Sequence, residues 1–147
     1  MKKIYLLIAI FTFVYTSEAQ VYEYKVITSV ESIIPSGVGR SRLISSNENR
    51  DYRDYTTSRS TEKRNKSSRT DIRVKDFDET KLLNFFNIAG IRFQNIAAND
   101  AVITSKLNTM SEEGWELAFV SSAVESDAGE DDNKGIFITR YVFKRMK

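Results

Sequence analysis

Apolar and polar positions alternate most regularly near the start of the chain, in VYEYKVITSV (21–30). Tyr22, Tyr24, Val26 and Thr28 take every second place, and Glu23, Lys25 and Ile27 fill the gaps. β-Branched and aromatic residues at period two predict a strand with one buried face. Pro35, Gly37 and Gly39 in IIPSGVG (33–39) predict a turn, and RSRLIS (40–45) a second strand. TDIRVKDF (70–77) sets Ile72 and Val74 between charges and can pair with that second strand. Further on the spacing lengthens. DETKLLNFFNIAG predicts a helix capped by Asp78 and closed by Gly90, with Leu82, Leu83, Phe85 and Phe86 on its apolar face. IRFQNIAAN (91–99) fits either a short strand or an ordered loop. A second helix is expected over roughly 100–113, capped by Asn99 or Asp100, with Ile103, Leu107 and Met110 on one face.

Gly114 stands just past that helix, where a left-handed backbone is cheap only for glycine. Trp115 then opens a strand. The Gly-Trp pair therefore reads as a tight fold-back, with the indole wedged between helix and sheet; its other use would be stacking on a ligand. Strict alternation puts Trp115, Leu117, Phe119 and Ala123 on one side of that strand, and Glu116, Ala118, Val120 and Val124 on the other. GIFITRYVFKR (135–145) closes the pattern. Phe137, Tyr141 and Phe143 line one of its faces and Ile136, Ile138 and Val142 the other, as in a central strand with both faces at least partly covered. The expected architecture is α+β: a mainly antiparallel sheet of four to five strands with two helices packed on one face. Gly114, Trp115, Leu107 and Gly90 are its expected structural positions.

Between Ser46 and Arg69 the pattern stops. No aliphatic residue occurs there, so the stretch cannot bury enough surface to offset its ordering entropy. A polar, mobile loop or extended hairpin tip is expected at about 46–69. Arg50, Arg53, Arg59, Lys63, Arg64, Lys66 and Arg69 outweigh Glu48, Asp51, Asp54 and Glu62. Contact with an acidic partner or with membrane headgroups is the functional reading, and a charged, solvated loop the plainer one. Tyr52, Tyr55, Arg50, Arg53 and Arg59 are the candidate binding residues, because tyrosine and arginine most often anchor interfaces.

The first twenty residues read as a secretory leader. Lys2 and Lys3 precede an apolar run from Ile4 to Val14, and Ser17-Glu18-Ala19 supplies the small-x-small pattern for cleavage after Ala19. The run is shorter than the ~20 residues that span a bilayer. Residues 20–147 are then expected to form a single domain in the periplasm or outside the cell, with no transmembrane segment after cleavage. Taking Lys2, Lys3 and Glu18 away from 22 basic and 20 acidic residues leaves a net charge near +1. That balance, like export, argues against nucleic acid as a partner.

Absent residue types narrow the chemistry further. With no cysteine there is no disulfide framework, and with no histidine there is no Ser–His or Cys–His pair and no zinc site of the His/Cys kind. No catalytic residue, metal site or cofactor is expected. Glu113 and Glu116, flanking the Gly-Trp joint, are the best candidates for a paired-carboxylate hydrolase, but a solvated Glu113 and a Glu116 paired with a strand Lys or Arg fit as well. The Leu82–Phe86 face is the candidate wall of a small-ligand or lipid pocket, or simply core. ESDAGEDDNKG (125–135) fails the EF-hand spacing, since Gly129 and Asp132 fall at the third and sixth places from Asp127. It reads as a hairpin loop, with an irregular calcium site as the alternative.

YEYKV (22–26), LNTMSEEGWEL (107–117) and YVFKR (141–145) together resemble the small bacterial domain-of-unknown-function 4177 family. The resemblance covers the first strand and about 100–145, not 31–99. It implies a compact α+β fold with a helix on an antiparallel sheet, and it brings no catalytic residues. The leader ending in Ala-Gln is similar to those of exported Bacteroidetes-type proteins. The expected function is a non-enzymatic interaction or structural module of the bacterial envelope, whose partner would be another envelope protein.

Overall fold

The computed structural model describes residues 20–33, 40–61, 64–87, 89–125 and 135–147. The expected leader, most of the Pro-Gly turn and most of the acidic segment before Gly135, with its calcium alternative, lie outside the described residues. In chain order the elements are β1 (Tyr22–Ser32), β2 (Arg42–Ser46), the single turn α1 (Arg69–Ile72), β3 (Phe77–Lys81), β4 (Phe86–Asn87), β5 (Gly90–Ile91), α2 (Phe93–Glu112), β6 (Glu116–Glu125) and β7 (Ile136–Met146). Five strands form one antiparallel sheet in the order β3-β2-β1-β7-β6, and β4 and β5 make a separate two-stranded hairpin. α2 is the one main helix. β1 and β7 pair along their whole length, from Tyr22 opposite Met146 to Ser32 opposite Ile136.

Between Thr70 and Gly90 the structure departs from the expected elements. β2 does pair with a strand beyond the polar insertion, but that strand is Phe77–Lys81 and not 70–77. Residues 69–72 instead take one helical turn, because Ser68 and Asp71 form a reciprocal capping box that claims the local amides. The helix expected over 78–90 is absent. Its backbone groups are bonded across the fold: the Leu82 amide donates to the Ser41 carbonyl at 3.0 Å and the Phe85 amide to the Ser32 carbonyl at 3.3 Å. The Leu83 amide donates to Asn99 Oδ1 at 2.7 Å and its carbonyl accepts from Asn99 Nδ2 at 2.8 Å. Gly90, at φ +106°, therefore belongs to the β4–β5 hairpin and closes no helix.

α2 starts at Phe93, well before the expected 100, and Arg92 caps it without a side-chain bond. Asn99 and Asp100 are interior, not caps. The apolar stripe extends back through Ile96, two turns before Ile103, and that spacing was available in the sequence. Ile103 and Met110 pack with Ile27, Leu43, Leu82 and Phe143, and Val102, Leu107, Trp115 and Tyr141 surround them.

Residues opposite one another in a ladder share a face of the sheet. The helix-covered face carries Ile27, Ser29 and Glu31 of β1, Leu43 of β2, and Thr139, Tyr141 and Phe143 of β7. The other face carries Tyr22, Tyr24, Val26, Thr28 and Val30 with Ile136, Ile138, Val142 and Ile44. The regular alternation of β1 thus lies on the face away from α2, with Tyr24 64% and Val26 45% exposed. β7 has strand neighbours on both edges, but α2 packs on only one of its faces. In β6 a bulge between Leu117 and Phe119 reverses the phase. Leu117, Val120 and Val124 share the helix side, whereas Phe119 and Ala123 join Glu116 on the open side. Strict alternation from Trp115 holds for Glu116 and Leu117 and misplaces Phe119, Val120, Ala123 and Val124.

Candidate functional site

Three regions bear on function: the polar excursion between β2 and β3, the Gly114–Trp115 corner, and a polar seam beneath α2. The excursion has two 3-10 turns, Tyr52–Tyr55 and Arg59–Thr61, besides α1. Polar bonds brace its two arms where an apolar core is lacking. The Asn47 amide donates to the Asp76 carbonyl at 3.1 Å. Glu48 Oε1 accepts from the amides of Lys75 at 2.8 Å and Asp76 at 2.7 Å, and Glu48 pairs with Arg50. Arg50 also donates to the Arg73 carbonyl at 3.0 Å, and the Tyr55 hydroxyl to the Asp71 carbonyl at 3.1 Å. Arg50 and Tyr55, two of the five candidate binding residues, are therefore partly engaged in bracing.

The other three face outward. Tyr52 is 70% exposed, with the Arg53 guanidinium 5.5 Å from its ring centroid and Asp51 3.6 Å from Arg53. Arg59 lines a hollow of about 530 Å³ with Thr57, Ser58 and Arg64. Two guanidinium-bearing residues and two hydroxyl-bearing residues around one hollow suit acidic groups.

Glu48 is the brace with a titration signature. Hydrogen bonds from the Asp76 and Lys75 amides, and then from Arg50, lower its carboxyl from 4.5 to about 2. A carboxyl lowered by folding stabilises the folded arms fully above pH 4.5, and that support is lost as pH falls toward 2. Amide exchange at Lys75 and Asp76 is expected to stay slow from pH 7 to 5 and to accelerate below about pH 3 beyond its intrinsic trend. Glu48→Gln is expected to remove that acceleration, with faster exchange already at neutral pH. NMR exchange on both chains reads the difference.

At the corner, Gly114 takes φ +83°. Its amide donates to the Ser111 carbonyl at 2.9 Å and that of Trp115 to the Met110 carbonyl at 2.9 Å, the paired bonds of a Schellman cap. Arg145 closes the joint from β7. It donates to the Glu113 carbonyl at 3.0 Å, pairs with Glu23 at 2.6 Å and sets its guanidinium 4.4 Å from the Trp115 ring centroid. A cation at a helix C-terminus offsets the negative end of the dipole. The half-buried indole thus lies between the apolar cluster and Arg145. Alanine at 114 would meet Arg145 Cδ at 3.6 Å, an ordinary contact, so the left-handed backbone sets the cost. Gly114→Ala is expected to destabilise by about 1 kcal/mol, read by thermal melting.

Glu116 pairs with Lys144 at 3.3 Å on the open face, and Glu113 caps the helix end through its backbone. The Leu82–Phe86 segment is not a helical pocket wall. Leu82 is core, and the groove beside the helix, about 270 Å³, is lined by Leu43, Thr80, Val102, Ser105, Lys106 and Thr109. Among the described residues no group of His, Cys, Asp and Glu is placed to hold a metal ion. No helix among them is long and apolar enough to cross a membrane.

The sequence reading missed the polar seam. Asn99, 1% exposed, clasps Leu83 and donates to Glu31 Oε1 at 2.7 Å. Ser41 Oγ donates to Asn84 Oδ1 at 2.8 Å and accepts from the Ser32 amide at 2.9 Å. Burial raises the Glu31 carboxyl, the Asn99 hydrogen bond opposes that rise, and Asp100 adds to it. Burial likewise raises the Tyr141 phenol. The signal for Asn99 was its place on the Ile96–Ile103 stripe.

No family model, curated protein or solved structure matches the chain.

Proposed function

We propose that the chain is a non-enzymatic interaction module exported to the bacterial envelope, and that its 47–76 excursion engages an acidic surface on another envelope protein. The observation that carries this reading is Tyr52, 70% exposed beside Arg53, on a segment braced at its base by Glu48, Asn47 and Arg50. A braced aromatic–arginine pair loses little side-chain freedom on binding. Arg59 and Arg64 around the neighbouring hollow add positive charge of the kind that fits acidic groups. Kinship with the domain-of-unknown-function 4177 family belongs to the same proposal. It is supported by the placement of the three matching blocks on β1, on the α2–β6 joint and on β7, which are neighbours in the fold.

The test is recovery of partners from envelope extracts with wild type and with Tyr52→Ala/Arg53→Ala, which spares every brace. At least a tenfold loss of one specific partner is expected from the double variant. Equal recovery from both chains would remove the excursion as the contact surface.

A further inference from the structure

The open face of the sheet is organised in rows across the strands. One row runs Phe77 opposite Ser46, then, by continuing the β1–β2 register, Val26, followed by Val142 and Phe119. It is nearly the same read from either end: phenylalanine on each edge strand, valine at the centre. Phe77 is 44% exposed, Val26 45% and Phe119 57%. In the next row Glu79, Ile44, Thr28, Arg140 and Ser121 follow one another, so an acid and an exposed base lie on opposite sides of β1. Within the face, Glu79 also pairs with Arg42, and Lys144 pairs with Glu116.

We propose that a second copy of this chain covers this face, sheet against sheet, about a two-fold axis running along β1. An isologous interface needs a surface complementary to itself, and these rows provide one. The two-fold sets Phe77 against Phe119 of the second copy and Val26 against its own equivalent. The same operation carries Arg140 over the β2–β3 side of the second copy, where Glu79 lies. Sheets packed face to face sit about 10 Å apart with mean strand directions within about 30° of each other, which an axis along β1 satisfies. The area is close to that of a standard interface. Five strands spaced ~4.8 Å apart, two of them eleven residues long, present roughly 700 Å² of projected face against the ~800 Å² per partner of a standard interface. The pairing is independent of the 47–76 excursion and stands or falls apart from its role.

Sedimentation equilibrium of the purified chain is the test, with Val26→Lys and Phe119→Lys on the open face and Val124→Lys on the helix side of the same edge strand as control. Wild type and Val124→Lys are expected at twice the single-chain mass at about 50 µM. Both open-face variants are expected to sediment as single chains, with dissociation constants raised at least a hundredfold and circular dichroism unchanged. Phe119 lies on an edge strand, so its variant remains informative if Val26→Lys does not fold. Arg140→Glu is expected to weaken pairing at least tenfold at low salt. A wild-type chain that stays single, or open-face variants that still pair, would overturn the proposal. So would a single chain that floats with phosphatidylcholine or phosphatidylglycerol vesicles through Val26 and Phe119, since the face would then serve a lipid surface.

Discussion

Asn99→Leu is expected to lower stability by about 3 kcal/mol, with an unchanged denaturant slope in urea unfolding. The side chain satisfies both backbone groups of Leu83 and one carboxylate oxygen of Glu31 from a position 1% exposed. Leucine fits the volume but takes this partner from the part-buried amide and carbonyl of Leu83 and from the buried Glu31 carboxyl, and such losses together cost about 3 kcal/mol. Asn99→Asp separates this account from a simple packing loss. The aspartate keeps the bond from the Leu83 amide and turns repulsive toward the Leu83 carbonyl and Glu31. Its stability is expected to rise as pH drops from 7 to 4, because a proton on either carboxyl restores a donor. Glu31 already favours that direction in the natural chain. A carboxyl raised by folding supports the folded state fully below 4.5, and that support is lost as pH rises through its folded value.

Phe143→Ala is expected to cost about 4 kcal/mol, and Phe119→Ala less than about 0.5 kcal/mol for the single chain. Two phenylalanines on neighbouring strands thus report on opposite faces. Phe143 is 1% exposed against Ile27 and the α2 stripe, whereas Phe119 is 57% exposed on the other side. Urea unfolding of both variants at submicromolar concentration reads the contrast. Similar costs at the two positions would mean that the open face is covered within one chain.

These residues also show where the sequence was legible. β1 and β7 announce themselves by local alternation, and the end of α2 by a glycine followed by an indole. Alternation defines two faces but does not say which one the helix takes. In β1 the more regular face, with Tyr22, Tyr24 and Val26, is the one α2 leaves open, whereas the covered one holds Ser29 and Glu31. The 82–86 segment imitates a helix because Leu82, Leu83, Phe85 and Phe86 sit at helical spacing. Its real partners, Ser32, Ser41 and Asn99, are remote in sequence, and no local window contains them. The β6 bulge is hidden for a related reason, since Ala118 drops out of register only against β7. In the excursion, composition pointed to Tyr52, Arg53 and Arg59, which do face outward. Only the three-dimensional contacts show that Tyr55 and Arg50 also serve as ties.

The full-length ladder between β1 and β7 also dictates an order of events during synthesis. Among the described strands of the sheet, the one in the middle is made first and its longest partner last. Until Ile136–Met146 has left the ribosome, β1 has an empty edge and the apolar cluster lacks Phe143. Closing so long a loop is slow, so the sheet is expected to complete only after β7 has been made, and removing Ile136–Met146 leaves β6 without a strand partner and takes Phe143 from the core.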